Sequence, residues 1–170
     1  LTIAPVLPAT TLASYCYNGI FQGCTELTTA PSILPATTLE EHCYDDMFIR
    51  CSSLTSAPEL PATTLAECCY QSMFYDCTSL TSAPELPVTA LTDGCYTSMF
   101  EGCTSLTTAA ALTATTLTSF CYSGMFCGCT GLTTAPELPA ATLVNSCYRS
   151  MFSGCRSLNY IKCLATDIPT

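Results

Sequence analysis

The sequence has few charged groups, and cations are the scarcest of them. Of its 170 residues, four are Lys or Arg and thirteen are Asp or Glu, which gives a formal net charge of −9. Because so few cations cannot neutralise many phosphates, we expect no nucleic-acid partner and no docking on anionic lipid. The sequence also lacks an apolar run of about 18 residues, so we expect no membrane insertion.

Catalytic motifs are missing as well. Histidine occurs once, at His42, and a single histidine without a recurrent partner does not complete a Ser-His-Asp, Cys-His or HExxH arrangement. The phosphate-binding GxGxxG and P-loop motifs are also absent. The sequence therefore predicts a protein that is not an enzyme, with no catalytic residue and no cofactor. We expect His42 to be an exposed, inert side chain.

Repetition is what the sequence has in abundance. The first copy of one motif reads CYNGIFQGC from Cys16, the last reads CYRSMFSGC from Cys147, and four copies between them read CYxxMFxxC. The repeats begin at residues 1, 27, 54, 80, 106 and 132, with a degenerate seventh from 158. A period of about 20–29 residues is typical of leucine-rich repeats, whose units carry a strand and a helix or 3₁₀ turn.

Each copy divides into an extended half and a half that reads as a helix. The extended half, LTTAPELP in the copy that starts at Leu132, has β-branched threonines and prolines that cannot continue a helix. In the other half, TTLAxxCYxxMFxGC, a rotation of about 100° per residue places the cysteines, tyrosine, methionine and phenylalanine on one arc. This pattern predicts an amphipathic helix in each copy, with columns of tyrosine and phenylalanine stacked inside.

Helix-capping signals agree with this interpretation. Thr38 precedes Glu41 by three residues, which is the spacing of a capping box. A glycine stands where the helix should end in four copies, at Gly23, Gly102, Gly128 and Gly154. Arg50 and Asp76 replace it in the other two, so we expect that this position does not require a left-handed conformation. We predict that residues 1–170 form a single α/β leucine-rich-repeat solenoid, with short parallel strands on one side and short helices on the other.

The repeated MFxGCTSL, followed by a short strand and another MF, resembles the repeats of the BspA-like leucine-rich-repeat surface proteins of bacteria, in their 26-residue form. The match covers Leu1 to about Tyr160. The resemblance implies a secreted or cell-surface protein that adheres to a host or matrix protein or glycan, with its export signal outside this sequence. We also interpret the chain as a fragment of a longer protein. The resemblance assigns no ligand-contact residue.

The fifteen cysteines, twelve of them in two columns, allow three interpretations. Disulfides suit an exported chain, but cysteines eight residues apart on one helix would be about 12 Å apart, beyond the roughly 7 Å that a bridge spans. Zinc prefers closely spaced ligand pairs, whereas the recurrent spacing here is Cys-x₇-Cys. A free cysteine is also a small, buried hydrophobe. We expect mainly buried thiols and no metal, while disulfides stay an open alternative.

The carboxylates are sparse. Glu59 and Glu85 occupy equivalent positions in consecutive copies and should be near neighbours. A pair of this kind could hold Ca²⁺, but two carboxylates fall short of the roughly six to eight oxygens that the ion takes. We therefore expect a solvated surface at this pair.

Residues that differ between copies lie on the outer face of the predicted helices, and they are the candidates for ligand contact. The candidates are Glu41, Asp45, Gln71, Glu101 and Arg149. One hypothesis is a non-enzymatic binding module that contacts a protein or glycan through this face or through the threonine-rich strand face. The alternative is a structural spacer that displays another domain on a cell or phage surface. A contiguous charged patch would favour the first. We also expect end-to-end self-association through uncapped edges.

Overall fold

The chain winds into a stack of coils, one for each sequence repeat. In a computed structural model, which describes residues 1–168, these residues form no helix and no strand longer than a single bridging residue. The expectation of a repeat protein is confirmed by the repeating ring stacks and the coil-to-coil hydrogen bonds. The predicted α/β leucine-rich-repeat solenoid is wrong, because its helices are replaced by turns. Pro169 and Thr170, the end of the predicted domain, lie outside the described residues.

The half of each coil that was expected to be helical is a ribbon of tight turns, which we call the turn side. It comprises residues 13–24, 40–51, 66–77, 92–103, 118–129 and 144–155. Successive amides alternate between two kinds of partner. The amide of Cys43 donates to the carbonyl of Glu40 within its own coil at 3.2 Å, and the amide of Tyr44 donates to the carbonyl of Cys69 in the next coil at 3.0 Å. Every second amide therefore joins two coils.

Every fourth residue of a turn ribbon has a positive φ. In the second coil these residues are His42, Asp46 and Arg50, with φ of 52°, 57° and 61°. An α-helix needs a φ near −63° at each residue, so the recurring left-handed residues exclude one. Arg50 and Asp76 are left-handed like the glycines they replace, with φ of 61° and 56°. The expectation that this position does not require that conformation is therefore wrong.

The helical prediction failed because a nine-residue motif does not distinguish a period of four from one of 3.6. The side chains that the turn side buries in the second coil are Cys43, Tyr44, Met47, Phe48 and Cys51, each 0–1% exposed. Their spacing matches a ribbon that repeats every four residues. It also falls on one arc at about 100° per residue, which is why the sequence favours a helix. The predicted helix caps are wrong for the same reason.

The other half of each coil, which we call the proline side, is extended and unevenly paired: coils two and three share five backbone hydrogen bonds there, whereas coils three and four share fewer. Single parallel bridges join its coils, for example Ser82 to Thr108 and Thr108 to Thr134. Prolines have no amide hydrogen for a ladder. Threonine hydroxyls supply some of the missing bonds: Thr81 and Thr107 each donate Oγ1 to a carbonyl one coil earlier, at 3.4 and 3.3 Å. The predicted short parallel strands are thus reduced to isolated bridges.

Two columns of aromatic rings run through the interior of the turn side. From Phe21 to Phe152, consecutive phenylalanine centroids are 5.3 to 5.9 Å apart. From Tyr17 to Tyr148, consecutive tyrosine centroids are 5.7 to 6.0 Å apart. The rings are nearly parallel, and those of the middle coils are buried. The prediction that both columns stack inside is confirmed.

Candidate ligand-binding surface

From the second copy onward, the second cysteine of each copy connects consecutive coils. The thiol of Cys77 donates to the carbonyl of Phe48 at 3.1 Å, and the thiol of Cys103 donates to the carbonyl of Phe74 at the same distance. Three more cysteines do the same: Cys51, Cys129 and Cys155. Each phenylalanine carbonyl also accepts an amide within its own coil, so the thiol satisfies its second lone pair. An aliphatic side chain would fill the space but leave that acceptor position unused.

Burial keeps these thiols protonated. It raises the pKa of Cys51 to about 11 and that of Cys129 to about 12, from an ordinary 9.0. Burial also raises the pKa of Cys43 and Cys95, in the other column, to about 12. All fifteen cysteines are unpaired. Within residues 1–168, no group of three or more His, Cys, Asp or Glu is placed to hold a metal ion. The thiol columns therefore belong to the packing of the coils.

The outward side of the turn ribbons, which we call the turn face, carries the residues that differ between copies. Glu41, Glu67 and Asp93 occupy the same position in coils two, three and four, so three carboxylates follow one another along the stack. Arg50 is the one Lys or Arg in residues 27–105, and it lies 4.0 Å from Asp76. The turn face of coils two to four is therefore acidic and nearly without counter-charge.

The structure separates the candidate residues into two groups. Glu41, Gln71 and Glu101 lie on the turn face of coils two, three and four, where Glu41 is exposed and the other two are half-buried. Asp45 is only 6% exposed, and Arg149 is exposed two coils beyond Glu101. The first three belong to the acidic surface. Asp45 is part of the interior beneath it, and Arg149 is outside it.

A cluster around His42 was not expected from the sequence. Its Nδ1 lies 2.8 Å from Oδ2 of the buried Asp45, which also accepts the side-chain amide of Asn18 at 3.2 Å. The His42 ring stacks on Tyr15 with centroids 4.7 Å apart, and its Nε2 lies 3.9 Å from Glu41. Burial raises the pKa of Asp45, and the hydrogen bond and charge of His42 oppose that rise. The His42 side chain is 19% exposed, so the expectation that it is exposed is wrong.

Cys68 follows His42 in the next coil but faces away from it. Its Sγ points at Gly94, where an added Cβ would be 2.9 Å from the sulfur. Burial, followed by the neighbouring carboxylates with Glu67 first, raises the pKa of Cys68 to about 11. Because the thiolate is the nucleophilic form, this thiol is not activated at neutral pH. The geometry around His42 therefore does not assemble a Cys-His nucleophile.

A groove of about 500 Å³ opens on the turn face at Gly94. Tyr15, His42 and Gly94 occupy equivalent positions, just before the first cysteine of copies one, two and four. The rings of Tyr15 and His42 stack on each other, whereas Gly94 has no side chain. The thiol of Cys68 lies over Gly94, which is buried, and Phe120, 38% exposed, borders the groove on the other side. The remaining lining includes two carboxylates and an amide side chain, from Glu67, Asp93 and Gln71. The groove therefore brings one aromatic ring and two carboxylates together on the turn face.

A second groove, of about 470 Å³, lies on the proline side between coils three and four. Four prolines line it, Pro58, Pro61, Pro84 and Pro87. Glu59 and Glu85 also line it, and both are exposed, as expected for a solvated pair. At the same position in the sixth coil, Glu137 binds Lys162 at 2.7 Å. This position therefore favours a cation when the next coil supplies one.

The last full coil ends in an open edge on the turn side. Its five amides that correspond to coil-to-coil donors make no backbone hydrogen bond within residues 1–168: Ser146, Tyr148, Ser150, Phe152 and Gly154. Free donors in a row are a template for another chain. End-to-end self-association stays a prediction.

No family model, no curated protein and no solved structure matches this chain. Among residues 1–168, no helix is long and apolar enough to cross a membrane. The faces and grooves of the coil stack are therefore the basis for a functional proposal.

Proposed function

We propose that this chain is a non-enzymatic, secreted or cell-surface repeat module that binds a protein or glycan through its acidic turn face. The observation that carries the proposal is the break in repeat symmetry. The turn face changes from copy to copy and gathers Glu41, Glu67 and Asp93 in consecutive coils, beside a groove at Gly94. The proline side instead repeats the same threonines, and several of their hydroxyls are bound to backbone carbonyls.

The charge of the turn face narrows the class of partner. Carboxylates stacked at the spacing of neighbouring coils repel one another, and a cationic partner relieves that repulsion while steering its own approach. A protein with a basic surface meets this requirement better than a neutral glycan. The likeness of the repeated motif to BspA-like surface proteins supports adhesion, as an analogy rather than a demonstrated site.

An array of matrix proteins and glycans, probed at low and moderate salt, tests the proposal. The test variant carries Glu41→Gln, Glu67→Gln and Asp93→Asn, which remove three charges from the turn face. The matched control carries Glu26→Gln, Glu59→Gln and Glu85→Gln, which remove three exposed charges elsewhere. We expect the test variant to lose most of the signal for a basic protein and the control to keep it. Equal losses would mean diffuse electrostatics and would overturn the assignment of the turn face.

A structural spacer is the second candidate function. It is favoured by the uniformity of the junctions: each pair of neighbouring full coils shares five amide-to-carbonyl bonds on the turn side and two stacked ring pairs. Such a stack resists bending, which suits a stalk that holds another domain away from a cell or phage surface. An array that stays silent with every protein and glycan would favour the spacer over the binding module.

A further inference from the structure

We propose that the groove at Gly94 holds the guanidinium group of an arginine side chain from a protein partner; this rests on the proposed function of the turn face. The starting point is the column of left-handed residues just before the first cysteine of each copy. That column reads Tyr15, His42, Cys68, Gly94, Phe120 and Ser146. At Gly94 the column has no side chain and the Cys68 thiol covers the backbone, so the groove of about 500 Å³ lies beside that thiol and is bordered by the ring of Phe120.

The chain itself shows what fits beside an aromatic ring in this column. The rings of Tyr15 and His42 stack with an interplanar angle of 10°, and Nε2 of His42 lies 3.9 Å from a carboxylate oxygen of Glu41. A planar, nitrogen-bearing group thus lies flat on a ring with a carboxylate at its edge. At Gly94 the ring of Phe120 and the carboxylates of Glu67 and Asp93 are present, but the chain provides no planar group.

The charges of the groove select a cation. The Glu67 carboxylate is exposed and lines the groove. Oδ1 of Asp93 accepts the amide of Ser119 at 3.0 Å, which leaves its second oxygen for a ligand. A guanidinium can stack on the face of Phe120 while its edge donates to carboxylates. A lysine ammonium would gain the charge but not the planar stacking, and a neutral sugar would not gain the charge.

The test uses three short capped peptides that differ at one residue: acetyl-Gly-Arg-Gly-amide, its lysine counterpart and its citrulline counterpart. Each is titrated into the isotopically labelled full chain, and the amide shifts of Gly94 and Phe120 are followed by NMR. We expect the arginine peptide to shift both amides and to bind about two- to fivefold more tightly than the lysine peptide. The citrulline peptide, which keeps the shape without the charge, should cause no saturable shift.

Two variants locate the binding. Phe120→Leu removes the ring face and Glu67→Gln removes one charge; both side chains are exposed, so the fold should be retained, which the melting temperature checks. Each change should weaken binding of the arginine peptide by about two- to fivefold. Tyr15→Leu and Glu59→Gln are the matched controls, remote from the groove, and should leave it unchanged.

The outcomes separate this proposal from the proposed function. Equal binding of the arginine and lysine peptides, or arginine-peptide binding unchanged by Phe120→Leu, would overturn the proposal that the groove at Gly94 holds an arginine. If the array finds a basic partner whose binding is insensitive to both groove variants, the turn face is supported as a binding surface and the groove at Gly94 is rejected as an arginine site. If the array is silent while the arginine peptide still binds in the groove, the arginine site is supported and the proposed adhesion is rejected.

Discussion

The two sides of each coil hold the stack together in different ways. On the turn side, every junction between full coils carries five amide-to-carbonyl bonds and two ring stacks. On the proline side, the number of backbone bonds varies between junctions, with five between coils two and three and fewer between coils three and four. The reason lies in the residues, because prolines remove ladder donors, whereas the turn side has an amide at every position. We therefore expect stability to be concentrated on the turn side, which carries the same bonds and ring stacks at every junction although it contains no regular secondary structure.

This concentration of bonds also bears on function. The inward residues of the turn side are nearly identical in all copies, while its outward residues carry the acidic surface and the groove at Gly94. A rigid, repeated interior allows outward positions to differ without changing the backbone that presents them. The variable surface thus lies on the more rigid side.

The largest effect that should distinguish the two sides is alkaline unfolding. The buried thiols and phenols lie on the turn side, and burial raises the pKa of Cys51 to about 11 and that of Cys95 to about 12. Below pH 9 these thiols are protonated in both the folded and the unfolded chain and have no effect on the pH dependence. Above pH 9 the unfolded chain ionises first, so stability falls as pH rises toward the folded pKa. For a buried thiol such as Cys95, the loss is about 1.4 kcal/mol per pH unit.

Several such groups act together, so we expect cooperative unfolding between about pH 9 and pH 11. Urea unfolding followed by circular dichroism at pH 7 to 11 measures it. Cys95→Ala should make the fall with pH less steep, whereas Cys163→Ala, at an exposed cysteine, should not change it. Stability that stayed constant up to pH 11 would contradict the burial of the thiol columns.

A smaller effect should follow from truncating one core residue on each side. Phe100 is fully buried, with ring neighbours Phe74 at 5.5 Å and Phe126 at 5.6 Å. Phe100→Ala removes both stacks and leaves a cavity, and should lower the free energy of unfolding by about 3–5 kcal/mol. Leu86 is 6% exposed on the proline side, and Leu86→Ala should cost about 2–3 kcal/mol.

Urea titrations of both variants at pH 7 give the comparison. Phe152→Ala is a control within the same column, because Phe152 is half-buried and stacks on Phe126 alone. It should cost clearly less than Phe100→Ala. If Leu86→Ala proved as costly as Phe100→Ala, the turn side would not dominate the stability of the stack.

The sequence is informative about what each copy buries and uninformative about how the backbone does so. The identity of the copies predicts the columns of Phe48 and Tyr44, because any stacking of equivalent repeats brings equivalent rings together. The helix prediction failed because Cys43 to Cys51 is too short to separate a four-residue period from a helical one. The glycines at the equivalent position of four copies are a signal for a left-handed Arg50, but arginine itself rarely adopts that conformation.

The candidate surface shows a similar division. Glu41 and Gln71 could be placed outside because they vary between copies. Asp45 varies as well, yet it is buried, and its bond to His42 depends on a turn geometry that the sequence does not reveal. The groove at Gly94 has a signal in hindsight, which is a glycine in a column that otherwise carries side chains. A glycine is more often explained by backbone conformation, and the φ of 64° at Gly94 fits that explanation.

The smallest predicted effect concerns the left-handed residues of the turn side. Ser72 has a φ of 49°, and the equivalent residue is glycine in two other copies, Gly19 and Gly124. A left-handed conformation costs a residue with a Cβ about 1–2 kcal/mol, and glycine avoids this cost while losing about 0.5–1 kcal/mol through its greater freedom in the unfolded chain. Ser72→Gly should therefore stabilise the protein by about 0.5–1 kcal/mol in urea unfolding.

The matched control is Thr133→Gly on the proline side, where φ is not positive and the side chain is exposed. The same entropic cost acts there without relief of strain, so this change should destabilise the protein by about 0.5–1 kcal/mol. If Ser72→Gly raises the free energy of unfolding and Thr133→Gly lowers it, the left-handed conformation at Ser72 is unfavourable for a residue with a Cβ and is imposed by the hydrogen bonds of the turn side. Two destabilising changes of equal size would instead mean that Ser72 is not strained, which would contradict the predicted energetic cost of the left-handed residues.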